Sequence, residues 1–426
     1  MGKNGRFGRD AGKLIGKDHD GRPGWKGPGC TKKSEAKSKP KSTKTPGENN
    51  ALREDEDDVT SDIPLELQQI ILNTFRDTFL DVLTPVTTLQ PLLQEVKAAL
   101  FERDFARAFG KREYLEAYSV RWSPVRALCY HRILLDMRDH FSGVTRGDLD
   151  LKTPQGLAGG EEEDPENDQT SDKAKAPALR AICFGGGPAE VAAFGAYVRS
   201  LQDASISDEF APTLSEEAPS LSTRKSKVGM TLIDSAGWGN VIRRLSESLS
   251  SPPSLSKYAS ASAKAANTSF IPAGSLHSLF LERDVFAMTA KETKDLVGGP
   301  PKLITLLFTL NELYTTSISK TTIFLLNLTM ATRPGSLLLV VDSPGSYSTA
   351  KLGAEDKTYP MKFLLDHALL ETDKVKAADD DRRRESPPNW VKVVSEEAKW
   401  FRTPEGLRYT IPLENMRYQL HMYRRV

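Results

Sequence analysis

The sequence predicts an α/β fold: a parallel sheet of β-α units, with an N-terminal helical region and a disordered basic tail. Three observations predict it. After Ala178, short apolar runs alternate with helix-like segments, the pattern of a parallel sheet. The first run enters its helix through three successive glycines, in "LRAICFGGGPAEVAAF" from Leu179 to Phe194. Ahead of it, from Pro64 onward, apolar residues recur at helical spacing.

Residues 1–62 are rich in Gly, Lys, Pro and Ser and carry almost no aliphatic side chains, so they cannot bury a core. Residues 1–50 hold 13 Lys/Arg against 5 Asp/Glu, and "REDEDD" follows directly. A net charge of +1 hides this asymmetry. The basic part reads as a nucleic-acid arm or a nuclear-import signal, with a solvated tail as the plain alternative. The apolar share of 38% is modest for a globular chain of 426 residues and fits a partly disordered one.

Cys30, Cys129 and Cys183 have no paired spacing, so neither a disulfide framework nor a metal site is expected. The N-terminus lacks the apolar stretch of a secretory signal, and Arg6 stands where a myristoylation motif wants Ser or Thr. No apolar run approaches the roughly 20 residues that span a bilayer. A soluble, intracellular protein is expected, in the nucleus, nucleolus or cytoplasm.

The helical region should occupy residues 63–150. "PLELQQIILNTFRDTFLDVL" places Leu67, Ile70, Ile71, Phe75 and Leu83 near one another at helical spacing. Three further amphipathic stretches follow, which predicts roughly four helices ending near Phe141. The last opens with Ser123 as N-cap and Pro124 at the first helical position. An acidic, Gly-bearing linker, 151–177, leads to the sheet domain, 178–426. Its strands are expected at "LRAICF", "GMTLID", "SLFL", "LITLLF" and "SLLLVVD", with "NWVKVV" and "RYQLHMYRRV" last. Residues 203–227 and 251–268 read as polar surface insertions.

In an open parallel sheet, ligands bind beyond the C-terminal strand ends, close to the first β-α turn. Gly185, Gly186 and Gly187 tolerate positive φ and leave no Cβ between backbone and ligand. A dinucleotide fingerprint wants a third Gly or Ala where Glu190 stands. A pyrophosphate would sit at this helix N-terminus, and a carboxylate there would repel it. S-adenosylmethionine (SAM) carries no phosphate, and its cationic sulfonium and amino groups tolerate the acid. Glu190 therefore favours SAM.

Later strand ends add to this. "MTLIDSAGW" puts Asp234 at the end of the second strand, where nucleoside ribose hydroxyls are held; a helix cap is the alternative. "FLERDVF" offers Asp284 beyond the third strand to accept from an adenine amino group, or simply as a loop acid. "FTLNELYTTS" places Asn311, Glu312 and Tyr314 at the mouth of the fourth strand, and the fifth ends at Asp342.

Together "ICFGGGPAEVAA", "LIDSAGW", "FTLNELY" and "YLEAYSVRWSPVRALCY" resemble the fungal SAM-dependent methyltransferase family that includes the large-subunit ribosomal RNA uridine-N3 methyltransferase. The resemblance runs from about Leu65 to Val426. It implies a Rossmann-like SAM-dependent methyltransferase sheet and a SAM site at Gly185, Gly187, Glu190, Asp234 and Asp284. Cys183 stands where many methyltransferases carry an acid, so Glu190 is expected to replace it.

The implied reaction is methylation of N3 of a uridine in large-subunit ribosomal RNA, with ribosomal RNA or the pre-ribosome as partner and neither metal nor membrane involved. N3 must lose its proton, so a general base is needed. Glu312 is the first candidate and Asp342 the second, with Asn311 donating to a uracil carbonyl and Tyr314 stacking on the base. Each also has a structural reading: Glu312 as a helix-start charge, Tyr314 as a core aromatic. "YSVRWSPVRALCYHR" interleaves Arg121, Trp122 and Arg126 with Tyr118, Tyr130, His131 and Arg132 as an RNA surface. His131 itself reads as structural. Two other classes stay open: a catalytically silent, RNA-binding ribosome-assembly factor with the same fold, and a nucleotide-dependent oxidoreductase, which Glu190 disfavours.

Overall fold

A computed structural model of the chain describes residues 16–17, 23–24, 63–144, 178–209, 227–345, 349–351, 358–370 and 389–426. The expected tail (apart from a short ladder of Gly16–Lys17 with Pro23–Gly24), the acidic linker and residues 210–226 lie outside the described residues.

The helical region begins with α1 (Leu65–Thr78), α2 (Leu80–Leu83), α3 (Val86–Phe101) and α4 (Phe105–Phe109). It continues with α5 (Arg112–Arg121) and α6 (Ser123–Asp136). Six α-helices thus stand where about four were expected, because the first expected helix breaks at Phe79 (φ −119°, ψ 32°) and the second at Arg103, φ +57°. Asp104 caps α4 by accepting from the Arg107 N–H. Ser123 is not the N-cap of α6. Trp122 already has helical φ and ψ (−106°, −33°), so the helix starts at Ser123 itself.

Seven strands form one sheet. In chain order they are β1 (Ala178–Phe184), β2 (Lys227–Asp234), β3 (Leu276–Glu282), β4 (Leu303–Leu307), β5 (Leu337–Asp342), β6 (Trp390–Phe401) and β7 (Met416–Arg425). Their spatial order is 6-7-5-4-1-2-3, parallel except for β7, which is antiparallel to both β5 and β6. Every residue of β4 and β5 is buried, as expected for central strands covered on both faces.

The connecting helices are α7 (Pro188–Glu209), α8 (Gly239–Ser250), α9 (Ala261–Ala265), α10 (Ala290–Val297), α11 (Leu310–Thr316), α12 (Ile318–Ala331) and α13 (Met361–Leu370). Residues 203–209, expected in an insertion, extend α7 instead. Residues 251–268 form an exposed segment carrying only α9.

Side chains alternate across β1 and sort into two cores. Ile182 and Phe184 face α12 and α13, packing with Leu306, Phe324, Leu328 and Trp390. Ala181 and Cys183 face the other side, where Val191 and Phe194 of α7 share one core with Phe75 of α1 and Leu128 and Ile133 of α6. The helical region therefore packs on the sheet, and Thr60–Val426 is one unit. The strand order reverses between β1 and β4, so a cleft opens at their C-terminal ends, the usual ligand position in such sheets.

Candidate active site

The glycine turn shapes the floor of this cleft. Gly185 adopts φ +69°, and any Cβ there would run into the Thr309 side chain. Its N–H donates to the Ile233 carbonyl at 2.7 Å, tying the turn to β2. A Cβ on Gly186 would meet Cys183 at 2.7 Å. Gly187 differs: a Cβ there would make only ordinary van der Waals contact, with Glu190 and Trp238 at 3.9 Å.

Glu190 is the third residue of α7 and is 4% exposed. Its Oε2 accepts from the Gly187 N–H at 2.9 Å, half of a capping box. The carboxylate thus occupies the donor that would otherwise hold a phosphate. Burial pushes its pKa to about 7, partly offset by the backbone donors of Gly187 and Glu190 and by Arg126. Cys183 adds no charge nearby, because burial pushes its thiol well up.

Asp234 ends β2 and lines the cleft. Its Oδ1 accepts from the Ala236 N–H at 2.7 Å, an Asx turn rather than a cap, since α8 begins after Trp238. Burial raises its pKa to about 6, against lowering by the backbone N–H groups of Ala236 and Ser235 and by Trp238.

The opposite wall follows β4. Phe308, immediately after the strand, has φ +57°, a costly conformation for a bulky residue. Its N–H donates to the Val341 carbonyl at 2.7 Å, which holds the chain in that turn. Arg126 of α6 lies over the Phe308 ring, 4.7 Å from its centroid, and over Tyr118 at 5.4 Å, and donates to the Tyr118 hydroxyl. Among the described residues no carboxylate pairs with this guanidinium within 4.0 Å. Glu312, in the first turn of α11, faces the same cleft. Burial pushes its pKa to about 8, with Arg126 offsetting part of the rise and Asp342 and Asp234 adding to it. Phe109, Tyr118 and Trp238 close the remaining side, with ring centroids 5.2–5.7 Å apart. The cleft is partly open to solvent.

Gly185, Gly187, Glu190, Asp234, Glu312 and Arg126 therefore meet in one place. Other expected site residues lie elsewhere. Asp284 is exposed, two residues beyond β3, and accepts from the Phe286 N–H at 2.9 Å. Asp342 is 2% exposed, and its two oxygens accept from the N–H groups of Asn311 (2.9 Å) and Ser343 (2.8 Å), so it braces the start of α11. Burial raises its pKa to about 6. Asn311 flanks the cleft without lining it. Tyr314 is 3% exposed within the core under α12, its hydroxyl without a hydrogen-bond partner among the described residues. Arg121 pairs with Glu414, and Trp122 packs on Tyr118 with ring centroids 5.2 Å apart. His131 is buried beside Ser200 (3.0 Å), and burial lowers its pKa to about 4. Sequence reasoning missed Phe308, Phe109, Trp238 and Thr309. Phe308 and Thr309 open the quoted "FTLNELYTTS" and Trp238 closes "MTLIDSAGW", so only Phe109 lay away from these motifs.

A Rossmann-like sheet with a glycine turn at its switch point, and a carboxylate where a phosphate would bind, defines an enzyme class built for a nucleoside cofactor without phosphates. Residues 75–424 match the family described as "Putative SAM-dependent methyltransferase", and the chain belongs to that family. A curated relative, the 25S rRNA (uridine(2843)-N(3))-methyltransferase of Saccharomyces cerevisiae, is 28% identical over 362 residues, covering 83% of this chain and 85% of the relative. Similar solved structures include a SAM-dependent methyltransferase from Methanosarcina mazei (10% identity, 58% of this chain and 92% of that one, TM-score 0.28). Another is an O-methyltransferase family protein from Burkholderia thailandensis (11% identity, 80% and 71%, TM-score 0.33). Among the described residues, no helix is long and apolar enough to cross a membrane, and no group of three or more His, Cys, Asp or Glu is placed to hold a metal ion.

Proposed function

We propose that this protein methylates N3 of a uridine in large-subunit ribosomal RNA, using SAM, in the nuclear, nucleolar or cytoplasmic stages of ribosome assembly. The observation that carries this reading is the similarity to the yeast uridine-N3 methyltransferase, which spans helical region and sheet alike.

The cleft fits the cofactor. Gly187 lines the cleft without a side chain to block a ligand, the aromatic wall suits an adenosine-sized group, and buried carboxyls suit a cation. Asp234 would hold the ribose hydroxyls, with Glu190 and the Gly185–Gly187 turn at the methionine end. Asp284 reaches the adenine only from outside the cleft as it stands. When bound, SAM supplies an electrophilic methyl group.

The protein's own side chains supply the proton chemistry. Uridine N3 carries a proton between two carbonyls, and removing it spreads negative charge onto both oxygens. Glu312, with a pKa near 8, is the base that takes this proton. Arg126 lies close enough to influence Glu312 and has donors to spare, so it takes the charge on a carbonyl oxygen, the part first expected of Asn311. Asp342 keeps α11, and with it Glu312, in position. The base must be unpaired or flipped to enter.

The test is mass-spectrometric mapping of ribosomal RNA from cells with and without the gene, paired with methylation of that RNA by purified protein. Loss of one 3-methyluridine, restored in vitro, is expected. An unchanged modification map overturns the assignment, and RNA binding without any methyl transfer identifies a silent assembly factor.

A further inference from the structure

The stretch first expected to meet RNA is mostly committed inside the protein: Arg121 pairs with Glu414, Arg132 with Asp136, and Tyr130 is 2% exposed. A different surface has the required chemistry. Trp400, near the end of β6, is 53% exposed. Arg402 and Arg417 both lie over its ring, each 5.8 Å from the centroid. Neither arginine forms an ion pair among the described residues, although Glu414 and Glu397 nearby are neutralised by Arg121 and Lys362. An indole exposed to this extent between two free cations has no evident role in packing.

Its place in the fold adds direction. Both β6 and β5 are antiparallel to β7, so β6 ends on the same side of the sheet as the cleft. Trp400 pairs with Arg417, two residues beyond the rung that joins Gln419 to Asp342. Three strand spacings separate β6 from β4, roughly 14 Å. The loop after β6 is braced rather than free: the Arg408 N–H donates to Gln69 of α1 (2.8 Å), the Tyr409 hydroxyl to the Val120 carbonyl (3.0 Å), and the Thr403 N–H to Asn415 (2.9 Å). The platform is held in shape before any partner arrives.

We propose that Trp400, Arg402 and Arg417 form a docking surface for single-stranded RNA, in which an unpaired base stacks on the indole and the guanidinium groups meet its phosphates. Stacking with flanking cations is the usual means of binding single strands without sequence readout. This surface holds RNA flanking the target nucleotide while that nucleotide occupies the cleft, and in that sense it rests on the RNA-methylation reading.

The test uses the full chain and a labelled, unstructured RNA of about 12 nucleotides, a typical site size. Trp400→Ala should weaken binding about tenfold, and Trp400→Phe should keep most of it. Joint replacement of Arg402→Gln and Arg417→Gln should lower the slope of log affinity against log salt by about 1.4, two single-strand phosphate contacts. SAM affinity should not move in any of them. Unchanged RNA affinity in Trp400→Ala, with an unchanged salt slope in the arginine variant, overturns the proposal and leaves the surface to a protein partner. Failure of the methylation reading looks different: RNA would still bind through Trp400, but the wild-type protein would methylate none of it.

Discussion

Arg126 rests on the ring of a residue whose own backbone is strained: its guanidinium lies 4.7 Å from the centroid of Phe308, which has φ +57°. A conformation this costly persists only where surrounding contacts enforce it, and such positions concentrate at functional sites. Here the strain sets an aromatic shelf under a cation that no carboxylate among the described residues pairs with within 4.0 Å.

Arg126→Met keeps much of the stem and removes the charge. Single-turnover methylation should fall by about 10²-fold, the usual cost of one transition-state donor, with SAM affinity changed less than about twofold. Arg126→Lys should recover only part, because an ammonium cannot present the planar fork. If SAM binding is lost while a decarboxylated analogue still binds normally, Arg126 holds the cofactor carboxylate instead.

Glu312 must be ionised to accept a proton, and burial holds its pKa near 8. The wild-type rate should therefore rise with pH, reach half its maximum near 8 and level off above it. Glu312→Gln should lower the neutral-pH rate by about 10²-fold and remove that inflection. Alkaline pH should then partly restore activity, as uridine ionises unaided. A full-rate variant would return the role to Asp342 or to solvent.

Much of this arrangement was legible in the sequence. The buried strands β1, β2 and β5 announced themselves as apolar runs ended by Gly or Asp, β4 as an apolar run alone, and the glycine turn placed the cleft. What was hidden depends on rotation and on distant contacts. Glu312 and Tyr314 looked like neighbours, yet at about 100° per helical residue they point some 200° apart, so one faces the cleft and the other the core. The left-handed backbone of Phe308 comes from its tie to Val341 on another strand, which no local pattern encodes. Arg126 was noticed for its charge, but only the packing of α6 on the sheet domain turned it toward Glu312.

Stability should fall as pH rises from 6.5 to 8. Glu190 and Glu312 have folded pKa values raised by burial to about 7 and about 8. Their contribution is complete below the unfolded value of about 4.3 and is lost as each ionises in the fold. His131 and His421, both lowered to about 4, oppose this only near pH 6.5, where their unfolded imidazoles are still about half protonated, and that opposition fades toward pH 8. Thermal denaturation should show a midpoint several degrees lower at pH 8, and Glu312→Gln should flatten the trend. A wild-type midpoint constant across that range would contradict the burial assigned to both acids.

Asp234→Ala should weaken SAM binding by about 1–3 kcal/mol through loss of charge-assisted hydrogen bonds to ribose. Because Asp234 also braces the Ala236 N–H, Asp234→Asn serves as the control that keeps the turn. Calorimetry on both separates the roles. Equal SAM affinity in wild type and a folded Asp234→Ala protein would remove this residue from the cofactor site.

Gly185 and Gly187 sit two residues apart in one turn and should fail differently. Gly185→Ala forces a side chain into φ +69° backbone and against Thr309, so it should cost about 1–3 kcal/mol of stability. Thr309→Ala in the same chain should recover part of that loss, since the two sites share the clash. Gly187→Ala meets nothing closer than 3.9 Å, so the fold should hold within about 1 kcal/mol. Its methyl group instead enters the space that the bound cofactor is proposed to use, and SAM affinity should fall about tenfold. Melting curves and SAM titrations on the three variants read the two effects separately. A Gly187→Ala protein that binds SAM as tightly as wild type would move the cofactor away from this turn, and a Gly185→Ala protein of wild-type stability would show that the turn is not confined as described.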